Sequence, residues 1–393
     1  MTARSQQPCL LLDLLAYAAA DSASSSVKGV SARLLERADD RQVQWVIDAG
    51  LAPLLYRASR EEIPQVPAAW RDKLLSSELT AIVRHGNLID ATREIVEACD
   101  ARGLRVALLK GISVSDQFYP AAHLRPMGDI DILAAPSACA TVESTILQLG
   151  YRRDPDHEHR EGAHHDAPLF HPGRHVWVEV HNALFSENTA LRSGRLFSPL
   201  HVASRCVSST FHGLTVERLA DELQLVYIAS SWVLDLSRYG VHPSLVAPLL
   251  DALYLLEGTK HTLDWDELLA WLDNPMAAAS LYVLLTYLSG HGLCQVDPPI
   301  LSRLASSQNV IGSSVLRAVH MILDKYLVGG RPFPRWLSGW HMSIVLSTLL
   351  APGPSGGKLA AVPWNLAFPP SIAERYSLRY QLSRVAKALH GKA

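Results

Sequence analysis

The sequence has little charge and few cysteines, and each shortage argues against a class of function. Charged residues make up 19% of the 393 residues, and the net charge is −2 at pH 7. No overall positive field is present to recruit nucleic acid, so a nucleic-acid partner is not expected. The five cysteines are scattered and contain no C-x-x-C pair. This usage excludes a disulfide framework and a thiolate zinc site, and it favours a cytoplasmic protein.

Long apolar runs are also missing. The apolar stretch at residues 276–288 is shorter than the ~20 residues that a membrane-spanning helix requires, so a membrane partner is not expected. Apolar residues make up 48% of the chain, which is ample core material for a globular protein of this length. The hydrophobic patterns divide the chain into three regions. Helical periodicity predicts an N-terminal helical region at 1–100 and a C-terminal helical region at 191–393, with helices resuming from about residue 198. Short apolar and alternating runs predict a core that contains a β-sheet at 101–190.

What the sequence does contain is a pair of acids in a short apolar context. Asp129 and Asp131 alternate with Ile130 and Ile132. In a strand, successive side chains point to opposite faces, so the two acids share one face and the isoleucines point to a core. Neighbouring carboxylates repel each other unless a cation lies between them, and hard divalent ions such as Mg²⁺ take such oxygen ligands. The pair predicts half of a metal site at a sheet end, although a solvated strand edge also explains two acids at this spacing.

A strand, a glycine turn and a helix precede these acids. Residues 105–109 form a short apolar run that predicts a buried strand, and Lys110 and Gly111 lead into a helix at 112–119. The free N–H groups of such a helix start are a natural anion site. Gly111 would let the backbone approach a phosphate, and Lys110 would supply positive charge. An ordinary strand-to-helix connection with an exposed lysine is the alternative.

A third acid lies on a later strand. Residues 175–181 follow a Pro-Gly turn signal, and their alternation places Glu179 and His181 on one face. Burying a carboxylate is costly without a partner, so a metal ion would explain Glu179. A surface-facing glutamate on an edge strand is the alternative. His181 either orients Glu179 or contacts substrate, or it is a strand histidine with its hydrogen bonds satisfied.

This arrangement resembles the polymerase-β-like nucleotidyltransferase superfamily, in which a glycine turn after a strand is followed by an Asp-x-Asp pair and a later third acid. The sequence is similar to one branch of this superfamily, the bacterial uncharacterised nucleotidyltransferase family. The similarity covers about residues 104–185 and extends more weakly to about residue 270. The matching segments are 108–111, Arg125, 128–133, 149–151, the pair His164 and His165, and 178–181. One position departs from the superfamily pattern, because Ile112 stands where a small residue usually follows the glycine.

The resemblance implies an α+β fold in which a small mixed β-sheet nucleotidyltransferase core is flanked by N- and C-terminal helical segments. It also implies a two-metal site for Mg²⁺ or Mn²⁺, with Asp129, Asp131 and Glu179 as the catalytic and metal-binding residues. The nucleotide-binding residues that it implies are Lys110, Gly111, Ser113, Arg125 and His181. Arg125 would either reach the triphosphate or pair with one of the two aspartates.

The implied function is transfer of a nucleoside monophosphate, with AMP from ATP expected, to a hydroxyl or phosphate of a small-molecule, peptide or protein acceptor. Two other functions are compatible with the residues. The altered glycine motif leaves room for a non-catalytic nucleotide-binding or scaffold relative in a biosynthetic or toxin–antitoxin system. The density of histidines leaves room for a zinc hydrolase, since imidazole suits zinc, but no H-E-x-x-H helix is present. The histidines concerned are His157, His159, His164, His165, His171 and His175.

Overall fold

A computed structural model of the chain describes residues 9–21, 39–60, 66–154, 162–335 and 337–367. Within these ranges, fifteen α-helices surround seven β-strands, which confirms the expected α+β class. His157, His159 and the helix predicted at 371–392 lie outside the described residues.

The helices before the end of the sheet are α1 (Leu10–Asp21), α2 (Asp40–Asp48), α3 (Ala52–Ala58), α4 (Ala68–Asp100), α5 (Lys110–Phe118), α6 (Cys139–Gln148) and α7 (Pro199–Ser204). The later helices are α8 (Asp221–Tyr239), α9 (Ala247–Gly258), α10 (Trp265–Trp271), α11 (Pro275–Gly290), α12 (Pro298–Ser307), α13 (Ser313–Ile322), α14 (Gly339–Leu349) and α15 (Lys358–Ala367). The strands are β1 (Val106–Leu108), β2 (Asp129–Ala134), β3 (Arg152–Arg153), β4 (Leu169–His171), β5 (Val176–His181), β6 (Cys206–Phe211) and β7 (Leu214–Leu219).

The strands form one mixed sheet in the order β3-β4-β5-β2-β1-β7-β6. At its centre, β2 pairs in parallel with β5 and antiparallel with β1, and β1 pairs in parallel with β7. The strands predicted near residues 106, 130 and 178 therefore lie together in the middle of the sheet.

The expectation that the chain is helical from about residue 198 is wrong for residues 206–219, which form the β6–β7 hairpin. Its turn places His212 and Gly213 at φ 46° and φ 87°. Two successive left-handed residues match the twist of a two-residue hairpin, and glycine accepts this conformation without strain. The hairpin joins the sheet through the pairing of β7 with β1. This contact is between segments distant in the sequence, so local patterns do not predict it.

The two faces of the sheet have different partners. Helix α4 covers one face, where Leu88 and Ile95 share a core cluster with Ile130 and Ile132. A larger cluster includes residues from the N-terminal helices and from the helices after the sheet. The burial of both isoleucines confirms the predicted alternation, so the acids of β2 point away from α4. No helix of the described residues is long and apolar enough to cross a membrane.

Candidate active site

The register of β2 and β5 brings the second and third acids together. Asp131 lies directly opposite Glu179, and His181 follows two residues later on the same face of β5. His181 Nε2 is 2.7 Å from Asp131 Oδ1 and 3.5 Å from Glu179 Oε2. One potential ligand atom from each of these three residues lies within 4.8 Å of the others, a separation suited to a metal ion. The sequence prediction that Glu179 and His181 share a face is confirmed.

The ammonium group of Lys110 lies beside the same group of acids. Its Nζ is 3.1 Å from Asp131 Oδ1. Lys110 begins α5 with φ 43°, a left-handed conformation that is costly for a residue with a side chain and that often occurs at functional sites. Burial works against the charge on Asp131, but Lys110 and the hydrogen bond from His181 outweigh it and lower the pKa of this carboxyl group. The acid is therefore ionised at neutral pH.

Asp129 lies at the exposed start of β2, two residues before Asp131. Partial desolvation, followed by the negative charges of Asp131 and Glu179, raises the pKa of Asp129 to about 6. A divalent cation would relieve this repulsion, and three carboxylates supply the oxygen ligands that Mg²⁺ and Mn²⁺ prefer. The donor set of the site therefore fits a hard divalent ion, although Asp129 itself is outside the convergent group of Asp131, Glu179 and His181.

Three histidine rings meet beside these acids. The ring centroids of His164, His165 and His181 are separated by 4.7–5.2 Å. A β-bridge between His165 and His181 fixes this contact, and His165 Nε2 lies 3.7 Å from Glu179 Oε2. Burial, followed by the electrostatic effect of the neighbouring His181 and His165, lowers the pKa of His164 to about 2. His164 is therefore neutral at pH 7, and its Nδ1 lies 2.8 Å from Ser186 Oγ.

The other described histidines of the zinc hypothesis lie in the β4–β5 hairpin. His171 packs its ring on Tyr151 at 4.9 Å, and His175 is exposed in the turn. The convergent group of possible metal ligands in the described part of the chain contains one histidine, His181, and two carboxylates. This donor set favours a hard divalent ion over a zinc site built from several imidazoles.

Arg125 pairs with a residue far away in the sequence. Its Nε and Nη2 lie 2.9 Å and 2.8 Å from the two carboxylate oxygens of Asp251, and Tyr119 donates a hydrogen bond of 2.7 Å to Asp251. Arg125 thus forms its ion pair with Asp251 and not with Asp129 or Asp131. A Cβ on Gly111 would collide with the Arg125 guanidinium and would lie 2.6 Å from Met127 Sδ. The glycine is therefore required for Arg125 to cross the start of α5.

Ser113 is fully buried on α5. Its hydroxyl accepts a hydrogen bond of 3.0 Å from Gln117, and its carbonyl accepts one of 2.7 Å from Arg218. A direct contact between this hydroxyl and a nucleotide would require α5 to move. The nucleotide-binding role of Ser113 stays a prediction.

Helix α8 adds residues that the sequence reasoning missed. Tyr227 is buried, and its hydroxyl has no hydrogen-bond partner among the described residues. Burial raises the pKa of Tyr227, and the charges of Lys110 and Asp131 act on it in opposite directions. Burial also raises the pKa of Asp235, against the positive charges of Lys110 and Arg238. Tyr227, Asp235 and Arg238 are spaced so that they share one face of the helix. This spacing of polar residues was the signal in the sequence that could have identified them.

The comparisons with known proteins give one match. No curated protein and no solved structure matches the chain. The sequence profile of a family described as "uncharacterised nucleotidyltransferase" matches residues 36–290, which is more than half of the chain and contains every predicted site residue. The chain therefore belongs to the uncharacterised nucleotidyltransferase family.

Proposed function

We propose that the protein transfers a nucleoside monophosphate, AMP from ATP, to a hydroxyl or phosphate group of a small-molecule, peptide or protein acceptor. The observation that carries this proposal is the placement of Asp131 opposite Glu179, with Asp129 two residues before Asp131 and Lys110 bound to Asp131. Membership of a nucleotidyltransferase family supports the same chemistry. The proposal includes a relationship to the polymerase-β-like superfamily and a bacterial origin.

Asp129, Asp131 and Glu179 would hold two Mg²⁺ or Mn²⁺ ions. When bound, such ions neutralise charge on the transferred phosphoryl group and activate the attacking oxygen. His181 orients Asp131 through its 2.7 Å hydrogen bond, and His165 lies beside Glu179. Lys110, whose Nζ lies 3.1 Å from Asp131, would provide an ammonium group for a phosphate oxygen.

Labelled nucleotides test this function. Purified protein is incubated with each α-³²P-labelled NTP, Mg²⁺ or Mn²⁺, and a lysate of its own source. We expect transfer of label by the wild-type protein and a loss on the order of a hundredfold or more in Asp131→Asn and Glu179→Gln, as for removal of a group that stabilises transition-state charge. Asp100→Asn at an exposed position of α4 is the matched control and should transfer normally. Equal transfer by the acid variants and the wild-type protein would refute the assignment.

A non-catalytic nucleotide-binding relative is the second candidate. Two observations favour it: Ser113 is buried, and Arg125 is already paired with Asp251. Fewer groups are then free to position a triphosphate. Equilibrium dialysis with labelled ATP separates the two candidates. Mg²⁺-dependent binding without transfer to any component of the lysate supports the binding protein, and transfer of label excludes it.

A further inference from the structure

A cavity of about 280 Å³ lies between α4, the α2–α3 region and the segment that leads into β2. We call it the α4 cavity. Its walls come from residues 47–53, residues 76–88 of α4 and residues 123–127. Its volume is close to the lower end of the range for small-molecule sites, ~300–1,000 Å³. The α4 wall contains no residue of the candidate active site.

The α4 cavity has positive charge and no acidic lining residue. Arg84 and Arg125 both line it, and none of its lining residues, all within the described part of the chain, is Asp or Glu. Arg125 is neutralised by Asp251, which lies outside the lining. Arg84 is exposed and forms no ion pair with any residue that the structure describes. The positive charge available to a ligand is therefore that of Arg84.

Two hydroxyl groups on the same wall can donate to an anion. Ser76 and Ser77 line the cavity, and their hydroxyls donate to no residue of the described ranges. Thr80 also lines it, but its hydroxyl already donates a hydrogen bond of 2.7 Å to the carbonyl of Ser76. Hydroxyl and guanidinium donors together suit an oxyanion, and charge-assisted hydrogen bonds from arginine to phosphate or carboxylate are the strong ones.

Two histidines, His85 and His123, also line the cavity. Burial, followed by the electrostatic effect of the neighbouring His123 and His212, lowers the pKa of His85 to about 4, so His85 is neutral at pH 7. His123 Nε2 lies 2.9 Å from Glu78 Oε1, and Glu78 is not among the lining residues.

The α4 cavity reaches the start of the acid-bearing strand. Met127 lines it, and Arg84 Nη2 lies 3.6 Å from the position that a Cβ on Gly128 would occupy. Asp129 follows immediately and is exposed. A molecule that is held by Arg84 would therefore lie beside the backbone that leads into Asp129, whose side chain points to the other face of β2.

We propose that the α4 cavity binds an oxyanion, a phosphate or carboxylate group of the acceptor, with Arg84 as its main ligand and Ser76 and Ser77 as hydrogen-bond donors. The identification of this molecule as the acceptor rests on the proposed function. The binding of the oxyanion rests on the cavity alone.

Calorimetric titration of the full-length protein tests the site. The probes are inorganic phosphate, glycerol 3-phosphate, malonate and, as the neutral reference, glycerol. Each titration contains saturating Mg²⁺ and a non-hydrolysable ATP analogue, so that anion binding at the nucleotide site is blocked. Binding of glycerol 3-phosphate identifies a phosphorylated acceptor, and binding of malonate alone identifies a carboxylated one.

We expect Arg84→Gln to weaken oxyanion binding roughly tenfold or more, as expected for loss of a charge-assisted hydrogen bond. Ser77→Leu, which removes a donor and fills space in the cavity, should also weaken it. Arg93→Gln is the matched control, because Arg93 lies on the same helix and forms an exposed ion pair with Glu97. Arg93→Gln should bind as tightly as the wild-type protein.

Failure of this proposal can be distinguished from failure of the proposed function. Absence of binding by every oxyanion, or equal binding by Arg84→Gln and the wild-type protein, would each overturn the site. Nucleotidyl transfer is measured separately on the same preparations. If oxyanion binding depends on Arg84 but no label is transferred, the α4 cavity assignment stands and the proposed function is wrong.

Discussion

Arg125 and Asp251 form a two-pronged ion pair that joins the segment before β2 to helix α9. Their side chains are 12% and 4% exposed, so both charges are largely removed from water. Tyr119 donates a further hydrogen bond to the same carboxylate. A buried pair of this kind contributes little net stability compared with apolar residues, but removal of one partner leaves an uncompensated charge.

We therefore expect Asp251→Asn to lower the free energy of unfolding by about 3–5 kcal/mol. Tyr119→Phe, which removes one hydrogen bond, should cost about 1 kcal/mol. Asp266→Asn is the control, because the ion pair of Asp266 with Arg303 is exposed and should contribute less than about 1 kcal/mol. Urea denaturation measures all three. A loss in Asp251→Asn no larger than that of the control would show that the buried pair has no special role.

We expect Asp129, a proposed metal ligand, to lower the free energy of unfolding of the metal-free protein. Desolvation and the charges of Asp131 and Glu179 raise its pKa to about 6, so its ionised form is disfavoured in the folded state. We expect Asp129→Asn to raise the free energy of unfolding by up to about 1 kcal/mol at pH 7.5 in EDTA, a small value because the residue is exposed and its charge is screened.

Saturating Mg²⁺ should abolish this gain, because the ion would stabilise the wild-type protein and not the variant. Thermal denaturation with and without Mg²⁺ provides the measurement, and Asp100→Asn serves as the neutral control. An identical response of Asp129→Asn and the wild-type protein to Mg²⁺ would contradict the role of Asp129 as a ligand.

His85 should make the protein less stable in acid. Burial, followed by the charges of His123, His212 and Arg125 and opposed by Asp116, lowers the pKa of His85 to about 4. Between about pH 6.5 and pH 4 the unfolded state binds more protons at this group, so stability falls as pH falls. The contribution of His85 to this loss between pH 8 and pH 5 is about 2 kcal/mol.

Urea titrations at several pH values test the contribution of His85. His85→Gln is neutral throughout and should lose correspondingly less stability on acidification. His261→Gln, at an exposed position, should retain the pH dependence of the wild-type protein. Parallel stability curves for the wild-type protein and His85→Gln would show that another group causes the acid sensitivity.

The turn between β4 and β5 can be stabilised by glycine. His175 is exposed and has φ 53°, a left-handed conformation that costs a residue with a side chain about 1–2 kcal/mol. We expect His175→Gly to raise the free energy of unfolding by about 0.5–1 kcal/mol, since glycine loses some of the gain through its greater freedom in the unfolded chain. Thr215→Gly, in the regular conformation of β7, should instead lower stability. A destabilised His175→Gly protein would mean that contacts of the histidine, such as that with Phe170, outweigh the strain.

The local patterns of the sequence determined which face of its strand each acid occupies. The alternation of Asp129 to Ile132 predicted one polar and one apolar face, and both isoleucines are fully buried. The alternation that placed Glu179 and His181 together also proved correct, because strand geometry fixes the side of each residue without reference to the rest of the fold.

Only the tertiary structure decided which residues meet. The parallel register that sets Asp131 opposite Glu179, the pairing of Arg125 with a carboxylate 126 residues away and the contact of His165 with Glu179 each join distant segments. The β6–β7 hairpin was missed for the same reason, since its place in the sheet depends on pairing with β1. Local periodicity reports the conformation of a segment, but the choice of partner depends on the packing and register of the whole chain.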